Sequence, residues 1–167
     1  MAGQEMGIRT VKVLFVCMGN ICRSPTAEGV FKHYVRAAGL TDRILSDSAG
    51  THDYHVGEPP DPRTQHAARL RGYELSALRG RQVSRRDFQE FDYVLAMDRG
   101  NLHLLGRICP PIYAAKLKLF MEFAPSPELQ EVPDPYYGGE QGFEQVLDLV
   151  EAASGGLLNH LQEQMAP

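Results

Sequence analysis

Tryptophan is absent from these 167 residues, cysteine is scarce, and no long apolar run occurs. Each shortage excludes something. Three cysteines (Cys17, Cys22 and Cys109) are too few, and odd in number, for the disulfide framework of a small secreted protein. No uninterrupted apolar stretch approaches the roughly 20 residues that span a bilayer, and the opening residues MAGQEMGIRT lack the apolar core of a secretory signal. A reducing cytoplasm is the expected compartment. The net charge of −4 gives no whole-molecule attraction to nucleic acid or to an anionic membrane, so neither partner is expected. Metal-ligand patterning is missing as well. The histidines are scattered, and His52 and His55, though close, lack Cys or acidic companions at ligand spacing, so no metal or other cofactor is expected.

What is present reads as one domain, 11–167, behind a flexible N-terminal extension, 1–10. VKVLFV (11–16) is an apolar, β-branched run of the kind buried on both faces of a parallel sheet. A helix follows, with Ser24 as its N-cap, Pro25 at its first position and Gly39 beyond its end. RILSDS (43–48), YVLAM (93–97) and KLKLF (116–120) read as further strands. Asp61-Pro62 opens a helix that ends near Gly72, Ser84 caps a short one, and Asp98 caps another through about Leu105. Phe143, Leu147, Val150, Leu157, Leu158 and Leu161 mark a last helix, which Gly155-Gly156 is expected to break or kink. Strands alternating with helices predict a three-layer α/β fold with a four-stranded, mostly parallel twisted sheet and helices on both faces. Residues 63–86 carry seven arginines against Glu74 as the one acid before Asp87. A solvated face is the plainer account of that run and an acidic protein partner the sharper one.

Ligands of such sheets bind beyond the C-terminal strand ends, beside a topological switch point. The stretch VLFVCMGNICRSPTAEG (13–29) leaves the first strand there. A helix N-terminus offers unpaired N–H groups and partial positive charge to an anion, and a loop curling into it turns further N–H groups inward. Gly19 and Asn20 tolerate the left-handed angles that a curl requires. Arg23 supplies a planar fork suited to phosphate. The same field favours the thiolate of Cys17, the nucleophilic form of the residue. Met18, Gly19, Asn20, Ile21, Cys22 and Arg23 thus read as a phosphate cradle over an attacking sulfur. Expelling an alcohol or phenol also needs a proton donor. Asp98 and Asp134 both compete for that role on placement. Asp98 doubles as a helix cap, while Asp134 is held extended by Pro135, which slightly favours Asp134.

VLFVCMGNICRSPTAEGVF closely resembles the signature of the low-molecular-weight protein tyrosine phosphatases. DSAGT (47–51), VGEPPD (56–61), YVLAMD (93–98) and DPYYGG (134–139) match in order, so that the likeness covers about residues 12–162. It implies hydrolysis of phosphotyrosine monoesters in a tyrosine-phosphorylated protein, through a phosphocysteine intermediate and without a metal. Inorganic phosphate and other oxyanions would compete for the loop. By the resemblance Asp134 is the general acid and then the base, and Ser24 donates to the Cys17 sulfur. Asn20 and Ser48 hold the loop's curl, and Tyr54, Tyr136 and Tyr137 wall the cleft. Cys22 would close a reversible disulfide onto Cys17 against over-oxidation. Ile21 points to phosphotyrosine, because a threonine there resembles the arginine-phosphatase branch.

One position departs from the pattern. SALRGRQ (76–82) places Leu78 where the family commonly has a histidine supporting Asn20, so that support must come from elsewhere. Three rivals compete with the phosphatase reading. A thiol arsenate reductase needs a nearby pair of resolving cysteines, and Cys109 stands alone. An arginine phosphatase is opposed by Ile21. A non-catalytic phosphopeptide binder could dispense with Cys17 or Asp134, and both are present.

Overall fold

The computed structural model of the chain describes residues 10–126, 128–136 and 138–166. Residues 1–9 of the expected extension and Tyr137 of the expected cleft wall therefore lie outside the described residues. β1 (Val11–Cys17) forms the centre of a four-stranded parallel sheet with β2 (Ile44–Gly50), β3 (Tyr93–Ala96) and β4 (Leu117–Leu119), in the order β2-β1-β3-β4. Val13 to Val16 are completely buried, which is why this strand is apolar on both sides rather than alternating.

Its side chains divide between two cores. Val13 and Phe15 meet α1 (Arg23–Ala37) and α5 (Glu140–Met165) on one face, where Phe15 packs edge-on to Phe31 and Phe120. Leu14 and Val16 meet Phe88 of α3 (Arg85–Glu90) and Leu105 of α4 (Arg99–Ile108) on the other. Helices cover both faces, as the alternation predicts.

β1 is followed in the chain by β2 on one side, and β3 then lies on the other, so the switch point falls at the C-terminal end of β1. Around that edge lie the loop 18–22, the start of α2 (Pro62–Leu70) and the start of α4. Asp61 caps α2 by accepting from Arg63 N, and Asp98 caps α4 by accepting from Asn101 N at 2.7 Å.

Two expectations about helices are corrected. Ser24 is not an N-cap: α1 begins at Arg23 with Cys22 as its cap, because the Ser24 hydroxyl is turned back onto the loop. Gly155-Gly156 does not interrupt the last helix, which runs unbroken through it. The pair serves a close approach instead. A Cβ on Gly156 would stand 1.7 Å from the carbonyl oxygen of Phe123, so only glycine lets α5 lie this near the 3-10 turn Phe120–Phe123.

Candidate active site

The loop from Cys17 to Cys22 curls because its carbonyl groups are pulled outward. Thr51 N, His52 N and Asp61 N donate to the oxygens of Cys17, Met18 and Ile21 at 2.9, 3.0 and 2.8 Å. The curl turns at Asn20, whose φ of 58° makes it the one non-glycine residue with a left-handed backbone among the described residues. Gly19, the other candidate for that conformation, does not adopt it. Beneath the curl, a Cβ on Gly50 would meet Met18 O at 2.7 Å, so the glycine of DSAGT gives the loop its room. The N–H groups of Met18, Gly19, Ile21 and Cys22 find no protein acceptor among the described residues, whereas Asn20 N donates to Cys17 Sγ at 3.3 Å. Donors left open around a sulfur at a helix N-terminus make an oxyanion site.

A relay of hydrogen bonds holds this shape. Arg81 N donates to Asn20 Oδ1 at 3.0 Å, which fixes the amide so that Nδ2 faces two hydroxyls. It donates to Ser24 Oγ at 2.8 Å and to Ser48 Oγ at 3.0 Å. Each hydroxyl then reaches a further group. Ser24 points at Cys17 Sγ, 3.1 Å away, and Ser48 donates to Glu28 Oε1 at 2.7 Å. Glu28 is only 3% exposed and Lys32 pairs with its second oxygen. Here is the support that Leu78 cannot give. Leu78 packs against the apolar core, and Glu28 with the Arg81 backbone anchors Asn20. Glu28 was missed from sequence, although a glutamate four residues after Ser24 lies one helical turn along the same face.

Arg23 is 2% exposed and lies under the cleft. Nη1 donates to Asp98 Oδ2 at 2.6 Å and to Val132 O at 3.0 Å, while Nη2 stands 3.7 Å from Asp134 Oδ2. Burial works against its charge, but the charges of Cys17, Asp98 and Asp134 more than offset this and hold its pKa above the ordinary value. The two aspartates are thereby distinguished. Both Asp98 oxygens are committed, one to Arg23 and one to the α4 cap. Asp134 accepts from Tyr136 N with Oδ1 at 3.0 Å and turns Oδ2 towards Arg23.

The cleft, about 300 Å³, is lined by the loop residues from Cys17 to Arg23 other than buried Asn20, and by Tyr54, His55, Asp134 and Tyr136. Tyr54 is largely exposed and stacks on His52. His55, which sequence reasoning set aside as loop polarity, also faces the cleft, with Nδ1 3.0 Å from Glu58. Burial pushes the Cys22 thiol up to about 12, so it stays protonated and does not compete with Cys17. Most arginines of 63–86 are absorbed internally. Arg63 pairs with Asp61, Arg69 with Glu74, Arg71 with Glu144, Asp148 and Glu151, Arg81 with Asp47 and Asp87, and Arg86 with Glu90. The run therefore presents less unpaired positive charge than its sequence suggests. Among the described residues, no three His, Cys, Asp or Glu gather where they could hold a metal ion.

The sequence model of the family described as low molecular weight phosphotyrosine protein phosphatase matches residues 12–166. A putative low molecular weight protein-tyrosine-phosphatase of Synechocystis is 46% identical over 156 residues, covering 93% of this chain and 99% of that protein. The crystal structure of a protein tyrosine phosphatase of Entamoeba histolytica, with Hepes in its active site, superposes with a TM-score of 0.90. That likeness is 43% in sequence and covers 94% of this chain and 100% of the other. A Drosophila arginine phosphatase superposes with a TM-score of 0.85 at 35% identity, over 91% of this chain and 98% of the other.

Proposed function

The chain belongs to the low molecular weight phosphotyrosine protein phosphatase family, and we propose that it hydrolyses phosphotyrosine monoesters with Cys17 as nucleophile, Arg23 as phosphate clamp and Asp134 as general acid. One observation carries the reading. A sulfur, a set of unsatisfied loop amides and a buried guanidinium converge at the floor of a cleft whose rim holds a carboxyl group.

The steps follow from that arrangement. The phosphoryl oxygens take the open amides and the fork of Arg23, which offset the charge that develops in the transition state. Cys17 Sγ attacks phosphorus as the phosphorus–oxygen bond to the phenol breaks, and the leaving oxygen takes its proton from Asp134. Asp134, now a carboxylate, accepts a proton from water as that water attacks the phosphocysteine. Inorganic phosphate forms, and the sulfur returns to the hydrogen bonds of Asn20 N and Ser24. Arg23 and the amides supply the charge compensation that a metal would otherwise give.

Tyr54 and Tyr136 flank the cleft, and walls of this kind favour the long phosphotyrosine side chain over phosphoserine. Ile21, 9% exposed beside the nucleophile, presents an apolar surface to an aryl group, which supports tyrosine over arginine as the phosphorylated residue. The fold shared with an arginine phosphatase keeps phosphoarginine as the second reading. Inorganic phosphate and sulfonates are competitive ligands by the same geometry, as the Hepes in the Entamoeba enzyme's site suggests. Cys22 remains in reserve as the partner of a reversible Cys17–Cys22 disulfide; both thiols are free here. We take 11–167 as the catalytic domain and 1–10 as an extension to it. No helix among the described residues is long and apolar enough to cross a membrane, and the cytoplasm is the compartment we propose on the low cysteine content.

The test is hydrolysis of a phosphotyrosine peptide beside phosphoserine and phosphoarginine by wild type, Cys17→Ser and Asp134→Ala. Tyrosine-selective turnover should vanish in the first variant and fall by at least about a hundredfold in the second. Turnover of phosphoarginine alone would establish the second reading, and no turnover by folded, reduced protein would refute both.

A further inference from the structure

Arg63, in the first turn of α2, takes no part in the phosphate cradle, yet its half-exposed side chain is engaged on several sides. Nε and Nη2 donate to the two oxygens of Asp61 at 3.1 and 2.9 Å, a fork that fixes the guanidinium plane. Asp61 is tied down in turn. It caps α2 by accepting from Arg63 N at 2.8 Å, and its own N–H donates to Ile21 O of the phosphate loop at 2.8 Å. The position of the guanidinium is therefore set from the loop that holds the nucleophile.

Arg63 also meets the far rim. Its Cζ lies 5.2 Å from the ring centroid of Tyr136 and 4.9 Å from that of Phe143. Tyr136 belongs to the loop that carries Asp134, and Phe143 lies buried in the first turn of α5, where that loop ends. A guanidinium at these distances is attracted to the ring faces. Tyr136 links the contact to chemistry, because its N–H donates to Asp134 Oδ1 at 3.0 Å. Where Tyr136 sits, together with the pairing of the other oxygen to Arg23, sets where the Asp134 carboxyl points.

We propose that Arg63 is a positioning residue for the general acid, bracing Tyr136 and Phe143 from a base fixed to the phosphate loop, so that Asp134 meets the leaving oxygen at the right depth. The proposal rests on the assignment of Asp134 made above. Without the brace the carboxyl samples positions about an ångström from the productive one, and displacements of that order cost up to about a hundredfold in rate. The loss falls on esters that need the proton. Tyrosine is a poor leaving group and needs it, whereas the anion of a strongly acidic phenol departs unprotonated.

The experiment compares kcat/KM for a phosphotyrosine peptide with that for dinitrophenyl phosphate in wild type, R63A, R63K, D134A and R63A/D134A. The ratio of peptide to dinitrophenyl ester should fall about tenfold in R63A. It should fall similarly in R63K, which keeps the charge without the planar fork. In the D134A background R63A should change the ratio no further. Should R63A fail to fold, R63K carries the test. A parallel fall for both esters, a ratio within about twofold of wild type in folded R63K, or a further loss of the ratio in the D134A background would each overturn the brace. A D134A enzyme with an unchanged ratio would overturn the acid assignment itself, and the brace with it.

Discussion

Ser48→Ala is the sharpest test of how the phosphate loop is held. The hydroxyl is buried between Asn20 Nδ2, from which it accepts at 3.0 Å, and Glu28 Oε1, to which it donates at 2.7 Å. Removing it leaves two buried polar atoms each short of a partner. Lys32 still serves Glu28, and Ser24 still serves Asn20, so neither group is stripped completely. Because each group keeps one partner, each lost bond costs about 1–2 kcal/mol, the lower part of the range for a buried group left unsatisfied, which gives a combined loss of about 2–4 kcal/mol. In a chain of this size a loss of that order lowers the melting temperature by about 5–15 °C.

The loop should respond as well. Asn20 holds a left-handed backbone that costs a non-glycine residue about 1–2 kcal/mol, and its side-chain bonds repay that strain. With one bond gone the curl opens more often, and inorganic phosphate should bind about tenfold more weakly. Calorimetric melting and phosphate titration read the two effects separately. A variant that melts within about 1 °C of wild type and binds phosphate equally well would show that the relay through Glu28 holds nothing.

Three other substitutions probe different parts of the molecule. Arg23→Lys keeps the buried charge but gives up the fork shared by Asp98, Val132 and substrate, so kcat/KM should drop by about a hundredfold or more, and a drop under about tenfold would count against the clamp. Cys22 has a folded-state pKa raised by burial to about 12, so the stability its neutral form contributes is fully present below its unfolded pKa near 9 and is lost as pH rises towards 12. Chemical denaturation between pH 9 and 12 should therefore weaken wild type more steeply than Cys22→Ala, and parallel curves would contradict the assignment. Gly156→Ala should lower the melting temperature in spite of alanine's better helix propensity, because its Cβ has nowhere to go beside Phe123 O, and a variant as stable as wild type would show that α5 can shift freely.

The fold was largely legible because its signals are local. A strand buried on both faces must be apolar throughout, and Val11 to Cys17 satisfies that without reference to the rest of the chain. Asp61-Pro62 and Asp98 carry their capping chemistry in their own side chains, and both caps form. The errors arose where tertiary contacts overrode a local preference. Ser24 is a good capping residue, but Asn20 and Cys17 claim its hydroxyl, and the helix starts before it. Gly155-Gly156 weakens a helix in isolation, yet here it lets α5 approach Phe123 and is what makes the packing possible.

The site divides along the same line. Cys17, Asn20 and Arg23 sit within seven residues, so spacing alone brought them together. What positions them comes from far along the chain. Arg81 fixes the Asn20 amide from 61 residues away, Asp98 and Val132 meet Arg23 from 75 and 109 residues away, and no periodicity announces any of these pairings. Placement separates Asp98 from Asp134 only slightly, through the cap at Asp98 and the proline after Asp134, and it is the resemblance that decides for Asp134. The distinction lies in how tightly each is held: Asp98 bonds Arg23 at 2.6 Å and caps α4, while Asp134, lining the cleft, accepts from Tyr136 N and stands 3.7 Å from Arg23. A carboxylate held by a short bond to a buried guanidinium and by a helix cap is fixed as an anion that orients Arg23. The longer, half-exposed contact of Asp134 leaves its carboxyl the freer of the two to take up and give a proton, which is why the proposed acid is Asp134.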